Sequence, residues 1–201
     1  ESFNIHWENS QNTNTALSLN FSTPYIFNSK INFNGNFSIF KQDTLYINTK
    51  GMIELGYNLN KNNMISLSAN TEKSALSSVK NTSTNIQNFS KKLIGISYTF
   101  NIIEKQVYIN RYKFRLNSGI LLGNRKNEET KSAQQIFNLF AEYTTHLNIR
   151  NAIYIKNTAQ ILNTSDAFEN ELFRIGGINS IRGFNEQSIF TPKYNITNLE
   201  Y

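Results

Sequence analysis

The chain has 201 residues, enough for one sizeable domain or two small ones. Hydrophobic residues make up 39% and charged residues only 17%, so Asn, Ser, Thr and Gln carry the polarity, while 15 Phe and 10 Tyr exclude the aromatic-poor, highly charged profile of disorder. Cysteine is absent, which excludes disulfides and thiolate metal sites, and the net charge of +6 comes from scattered basic residues, which argues against a nucleic-acid surface.

The chain opens at Glu1 without a methionine or a signal peptide, and no apolar run reaches the length of a transmembrane helix. A mature or trimmed piece and a cytosolic chain both fit that start, and the strand pattern has to decide. A weak alternation runs from Ala16 to Ser22. From Lys30 onward it is strict: Ile31, Phe33, Gly35, Phe37 and Ile39 alternate with Asn32, Asn34, Asn36 and Ser38. Leu45, Ile47, Ile53, Leu55 and Tyr57 oppose Asn48, Lys50, Glu54 and Asn58. After a tight link near Asn60 to Asn63, weaker copies at Met64 to Asn70 and Leu93 to Phe100 flank a long polar linker, Glu72 to Ser90. Tyr112, Phe114, Leu116, Ile120 and Leu122 oppose Lys113, Arg115 and Asn117. A second longer linker, Asn124 to Lys131, precedes Phe137, Leu139, Ala141, Tyr143 and Leu147, which oppose Asn138, Glu142, Thr144, His146 and Arg150. A tight link at Asn148 to Asn151 leads to a last weak copy, Ala152 to Leu162. No stretch keeps a 3.6-residue stripe, so the fold class is all-β.

Several of these runs exceed ten residues, longer than the usual soluble strand and matched to the roughly 9–11 tilted residues that cross a bilayer. Tyr25, Phe27, Phe40, Tyr57, Phe100 and Tyr112 gather near strand ends, where an interfacial aromatic girdle would sit. Long linkers alternate with short ones, as the outer loops and periplasmic turns of outer-membrane barrels do. The expectation is an antiparallel transmembrane β-barrel of about ten strands. Its apolar face would meet membrane lipid and its wet face a lumen.

On that phase the segment after Leu162 is an outer loop, and it contains FRIGGINSIRGFNEQSIF, Phe173 to Phe190. Taken alone, a Gly-Gly or Arg-Gly pair reads as a turn with an exposed arginine. The longer string GGINSIRGF, with NLEY at Asn198 to Tyr201, resembles the signature of the outer-membrane protein assembly superfamily, which includes BamA, TamA and two-partner secretion transporters such as FhaC. The resemblance implies that a loop, here residues 164–188, folds back into the barrel lumen. Ile181, Arg182, Gly183 and Phe184 match its motif, Gly176 and Gly177 the glycines ahead of it, and Glu200 the acidic residue of the following strand. It further implies an Arg182–Glu200 ion pair inside the barrel, with a structural and gating role. STPYIF, Ser22 to Phe27, is similar to the family's turn between early strands.

The family's barrels close with sixteen strands, so residues 1–201 are expected to be an interior part of a bacterial outer-membrane barrel, without the first hairpin, the last strands and the periplasmic repeats. The function implied by the resemblance is folding and insertion of other outer-membrane proteins, with unfolded clients and accessory lipoproteins as partners. Export of a polypeptide, as by a two-partner secretion transporter, is the alternative within the family. A passive pore and a soluble all-β binding module are the alternatives outside it.

The remaining constellations point away from an enzyme and from any cofactor. His6 and His146 have no ligand-spaced partner. Glu54 and Glu142 fall on the wet face, where solvated side chains are expected rather than a hydrolase pair. No Ser or Thr sits in a nucleophile elbow, and no phosphate-cradling glycine loop is present. NRKNEETK, Asn124 to Lys131, reads as a solvated outer loop, and NTST, Asn81 to Thr84, fits a glycosylation sequon only formally.

Overall fold

The structure is a computed structural model describing residues 1–9, 14–77, 85–105, 110–128, 130–148, 151–178 and 180–201, with the side chains of 104–105 and 110–112 outside that description. The sequon at Asn81 to Thr84, Arg150 and the side chain of Tyr112 therefore lie outside the described residues.

The strands are β1 (Ser2–Asn9), β2 (Asn14–Thr23), β3 (Ile31–Gln42), β4 (Tyr46–Asn58), β5 (Asn63–Leu76) and β6 (Phe89–Lys105). They continue with β7 (Asn110–Lys126), β8 (Lys131–His146), β9 (Ala152–Asn163), the short β10 (Phe173–Ile175) and β11 (Ile189–Thr191), and β12 (Lys193–Glu200). Ten of them form one antiparallel sheet in the order β1-β2-β3-β4-β5-β6-β7-β8-β9-β12, while β10 and β11 pair as a separate hairpin. The all-β expectation and its ten-strand sheet stand. The sheet is open, with β1 and β12 as its edges.

Register decides what each face carries. Lys50 is opposite Glu72, Glu72 opposite Lys91 and Lys91 opposite Arg125, so a row of charges crosses β4 to β7 on one face. The other face carries Ile53, Leu67, Ile94 and Leu199, which are 55%, 59%, 72% and 71% exposed. Among the described residues, the buried hydrophobic side chains are Tyr46, Phe89, Leu93, Leu162, Phe168 and Ile175. They come from the charged face and from the β9–β12 connection lying on it. The layout is inside-out: the apolar face meets the surroundings, and the packed core lies on the polar face.

Residues of β2 and β9, Ser18 and Gln160 among them, line one cavity of about 360 Å³ together with that connection. Across seven steps of a flat sheet those strands would be about 34 Å apart, at about 4.8 Å per step. The sheet is therefore curled around the segment it carries.

Asparagine side chains shape two of the connections. In the β4–β5 turn the Asn60 Oδ1 accepts the backbone N–H groups of Asn62 and Asn63, at 2.9 and 3.0 Å, and in the β8–β9 link the Asn148 Oδ1 accepts that of Asn151, at 2.9 Å. A short polar side chain mimics a backbone turn in this way. Two expectations need correction. Asn124 to Lys131 is no long loop: β7 runs to Lys126, β8 starts at Lys131, and the Asn127 N–H closes a tight turn on the Thr130 carbonyl at 3.0 Å. Polar residues end both strands there, so composition alone hides where pairing stops. Phe40 is no girdle residue: its register places it with Asn48 on the charged face, under the guanidinium of Arg174. Tyr25, Phe27, Tyr57 and Phe100 do share one end of the sheet, that of the β2–β3 and β4–β5 connections.

Candidate functional site

Residues 164–188 cross the polar face, and their first half is stapled to it strand by strand. Thr164 Oγ1 accepts from Gln134 of β8 at 2.8 Å, and the Asp166 carbonyl accepts from Arg125 of β7 at 2.5 Å. Asn170 is 1% exposed. Its amide donates to Ser74 of β5 at 2.6 Å and to the Gln87 carbonyl at 2.8 Å, while its own carbonyl accepts from Asn48 of β4 at 2.7 Å. Backbone groups buried by a loop must find partners, and here the Asn170 and Asp166 carbonyls find theirs on β4 and β7.

At the centre stands Glu171, whose side chain is fully buried. One carboxylate oxygen accepts from Arg125 and from the Phe168 backbone N–H at 3.0 Å; the other pairs with Lys91 at 3.0 Å. Lys91 and Arg125 each keep only 2% side-chain exposure. Lys91 also pairs with Glu72 at 3.3 Å, and Glu72 with the more exposed Lys50 at 3.2 Å, so charges alternate from Lys50 to Arg125. The Arg125 guanidinium lies 3.8 Å from the centre of the Phe168 ring, which shields it further. Buried charges survive only when compensated, and each of these is paired with an opposite charge. The reading of Asn124 to Lys131 as solvated is corrected here for Arg125: the strand turns its side chain onto the polar face, where the connection covers it.

Beyond Glu171 the segment forms the β10–β11 hairpin and its tip. Gly176 and Gly177 are buried at φ 118° and 94°. A side chain on Gly176 would sit 2.4 Å from the Asn185 carbonyl oxygen, so that position requires glycine twice over, whereas one on Gly177 would meet only the movable Glu186 carboxylate, and its backbone conformation is what asks for glycine. Gly183 has φ 90° with open space around it, which leaves conformation alone as its reason. Ile181 is half-buried, whereas Arg182, Gly183 and Phe184 are exposed. The Arg182 Nη2 donates to Glu200 Oε1 at 2.5 Å, and the Asn198 amide of β12 donates to the Ser180 carbonyl at 3.0 Å, so the tip is tied to the edge strand. Register puts Glu200 on the same face as Gln160 and Tyr194, the face that carries the segment. The pair itself is open, with side-chain exposures of 64% and 44%.

No protein family and no curated protein matches this chain.

The structure brings Arg182 and Glu200 together, with Gly176 and Gly177 shaping the turn that delivers the arginine. It adds a second, better-shielded anchor that sequence reasoning missed: Glu171, Lys91, Arg125, Glu72 and Asn170. One signal pointed toward it. Lys91 and Arg125 lie on the wet phase of their strands, and a basic pair on neighbouring strands needs an acid from elsewhere. The Arg115–Glu142 pair at 3.0 Å, completed by the Tyr154 hydroxyl at 3.0 Å, is a third ionic group, set on the wet face of β7 to β9.

Proposed function

We propose that this chain is part of the wall of a transmembrane β-barrel in the bacterial outer membrane, in the outer-membrane protein assembly superfamily, and that it acts in folding and insertion of other barrel proteins. The observation that carries this is the segment 164–188, which presents an IRGF motif on the polar face of a curled sheet and pairs its arginine with the acid of the next strand. The exposed apolar face supports a lipid contact, since water leaves such a face without a partner and hydrocarbon does not. Strands β3 to β9 have 12 to 17 residues each, enough to cross a bilayer at a tilt. Open edges do not persist in lipid, so β1 and β12 find further strands in the assembled barrel.

The work is mechanical. Residues 164–188 occupy the lumen, Glu171 holds their base, and Arg182–Glu200 holds their tip. Unfolded outer-membrane proteins are the clients, with accessory lipoproteins as further partners. Depleting the protein in its host, followed by fractionation and heat-shifted gel mobility of other outer-membrane barrels, tests the role. Assembly predicts that the protein is recovered with the outer membrane and that folded barrels fall together; unchanged barrel levels contradict it.

A further inference from the structure

Arg174, in β10, has no carboxylate within salt-bridge distance among the described residues. Its guanidinium lies 3.7 Å from the centre of the Phe40 ring, with the Tyr46 and Phe190 rings at 5.4 and 5.5 Å. One N–H donates to the Tyr46 hydroxyl, at 2.5 Å. A guanidinium has five donors in a planar fork, and ring faces stacked on that plane leave the rest of its edge free. Burial lowers the Arg174 pKa from the ordinary guanidinium range, against the opposing pull of Tyr46 and Glu72, so its charge sits where water alone solvates it poorly.

The 360 Å³ cavity beside Arg174 is also lined by Lys50, Glu72, Lys91, Gln160 and Gln187. Neither nearby carboxylate is spare: Glu72 is shared by Lys50 and Lys91, and Glu171 by Lys91 and Arg125. The cavity wall thus carries three cations, Lys50, Lys91 and Arg174, against two carboxylates. Gln187, on the cavity wall, is held at φ 53°, a conformation that non-glycine residues rarely adopt and that collects at binding sites.

We propose that this cavity is a carboxylate-binding site, in which the Arg174 fork takes both carboxylate oxygens and the Lys50 ammonium approaches from the open side. A planar fork and a planar oxyanion match in shape as well as in charge. Two sources carry that group, a free small dicarboxylate or an acidic side chain of a polypeptide in the cavity. The site rests on the cavity and its charges alone, and stands or falls separately from the assembly role.

The test is calorimetric titration of the assembled protein, purified in detergent micelles, with glutarate, against sodium chloride at equal ionic strength. Saturable glutarate binding is expected, weakened by about tenfold or more in Arg174→Gln, weakened less in Arg174→Lys and unchanged in Arg182→Gln. Because Arg174→Gln also removes the stack on Phe40, a second measurement uses the unaltered chain: glutarate should protect Arg174, and not Arg182, from phenylglyoxal. Absence of saturable binding, equal binding by Arg174→Gln, equal response to chloride, or failure to protect Arg174 overturns the proposal. Competition by a capped octaglutamate peptide assigns the site to polypeptide carboxylates; binding of glutarate without such competition assigns it to free small ones.

Discussion

Neutralising Glu171 should release residues 164–188 from the sheet. Glu171→Gln preserves shape but removes the negative charge between Lys91 and Arg125, both almost fully buried. Removing one partner of a buried ion pair costs about 3–5 kcal/mol, because the other charge is left uncompensated. Two features place the expected loss near the lower end. Lys91 keeps Glu72 at 3.3 Å, and Arg125 keeps the Asp166 carbonyl at 2.5 Å together with the Phe168 ring. A loss of about 3 kcal/mol raises the released population roughly a hundredfold. Limited proteolysis reads it directly, since cleavage follows the open population when reclosing is fast. Cleavage within 164–188 should accelerate roughly a hundredfold in Glu171→Gln, and the triple change Lys91→Met, Arg125→Met and Glu171→Leu should recover much of the protection, because apolar replacement removes all three desolvation costs together. If Glu171→Gln is cut no faster than Arg182→Gln, the buried network does not hold the segment and the reasoning fails.

The exposed pair at the tip predicts the opposite scale: a double-mutant cycle on Arg182→Ala and Glu200→Ala, read by the same proteolysis, should give a coupling of at most about 1 kcal/mol, and more than about 3 kcal/mol would mean that the pair is shielded in the assembled protein. Gly176→Ala should loosen the hairpin tip by more than the roughly 1–2 kcal/mol of backbone strain, since it also meets the Asn185 carbonyl, whereas Gly183→Ala should cost the strain alone; hydrogen exchange of residues 173–191 compares them. Leu139→Lys, on the apolar face, should destabilise the lipid-embedded protein by about 2–4 kcal/mol, while Asn138→Lys, one residue away on the polar face, should cost only its hydrogen bond from Gln160, about 1 kcal/mol, in urea titrations in liposomes.

Much of the fold is legible in the order of residues because a strand exposes its environment every second position. Ile31 to Ile39, Tyr112 to Leu122 and Phe137 to Leu147 announce one apolar and one wet face, and the register keeps those faces continuous across the sheet. The Arg182–Glu200 pairing was legible through the motif around it. The Glu171 network was not, because alternation places Lys91 and Arg125 on the wet face without saying whether water or a folded-back segment covers them. Asn170 illustrates the same limit, since its partner Ser74 is 96 residues away and nothing local distinguishes a buried asparagine from a solvated one. Phe40 and Leu162 break the polar phase of their strands for that reason too: they are apolar where the connection lies over them.

The absence of cysteine allows the central claim, that the apolar face meets lipid and the polar face a lumen, to be tested by single-cysteine substitution without background. Cysteines placed one at a time from 134 to 144 along β8, in protein inserted in liposomes, would be treated with a membrane-impermeant maleimide. The structure predicts a period of two, with positions 136, 138, 140 and 142 labelled, the buried positions 134 and 144 shielded, and 135, 137, 139, 141 and 143 protected. Labelling of both sets alike, or protection of the even set and reaction of the odd one, would contradict a membrane wall with this face to the lipid.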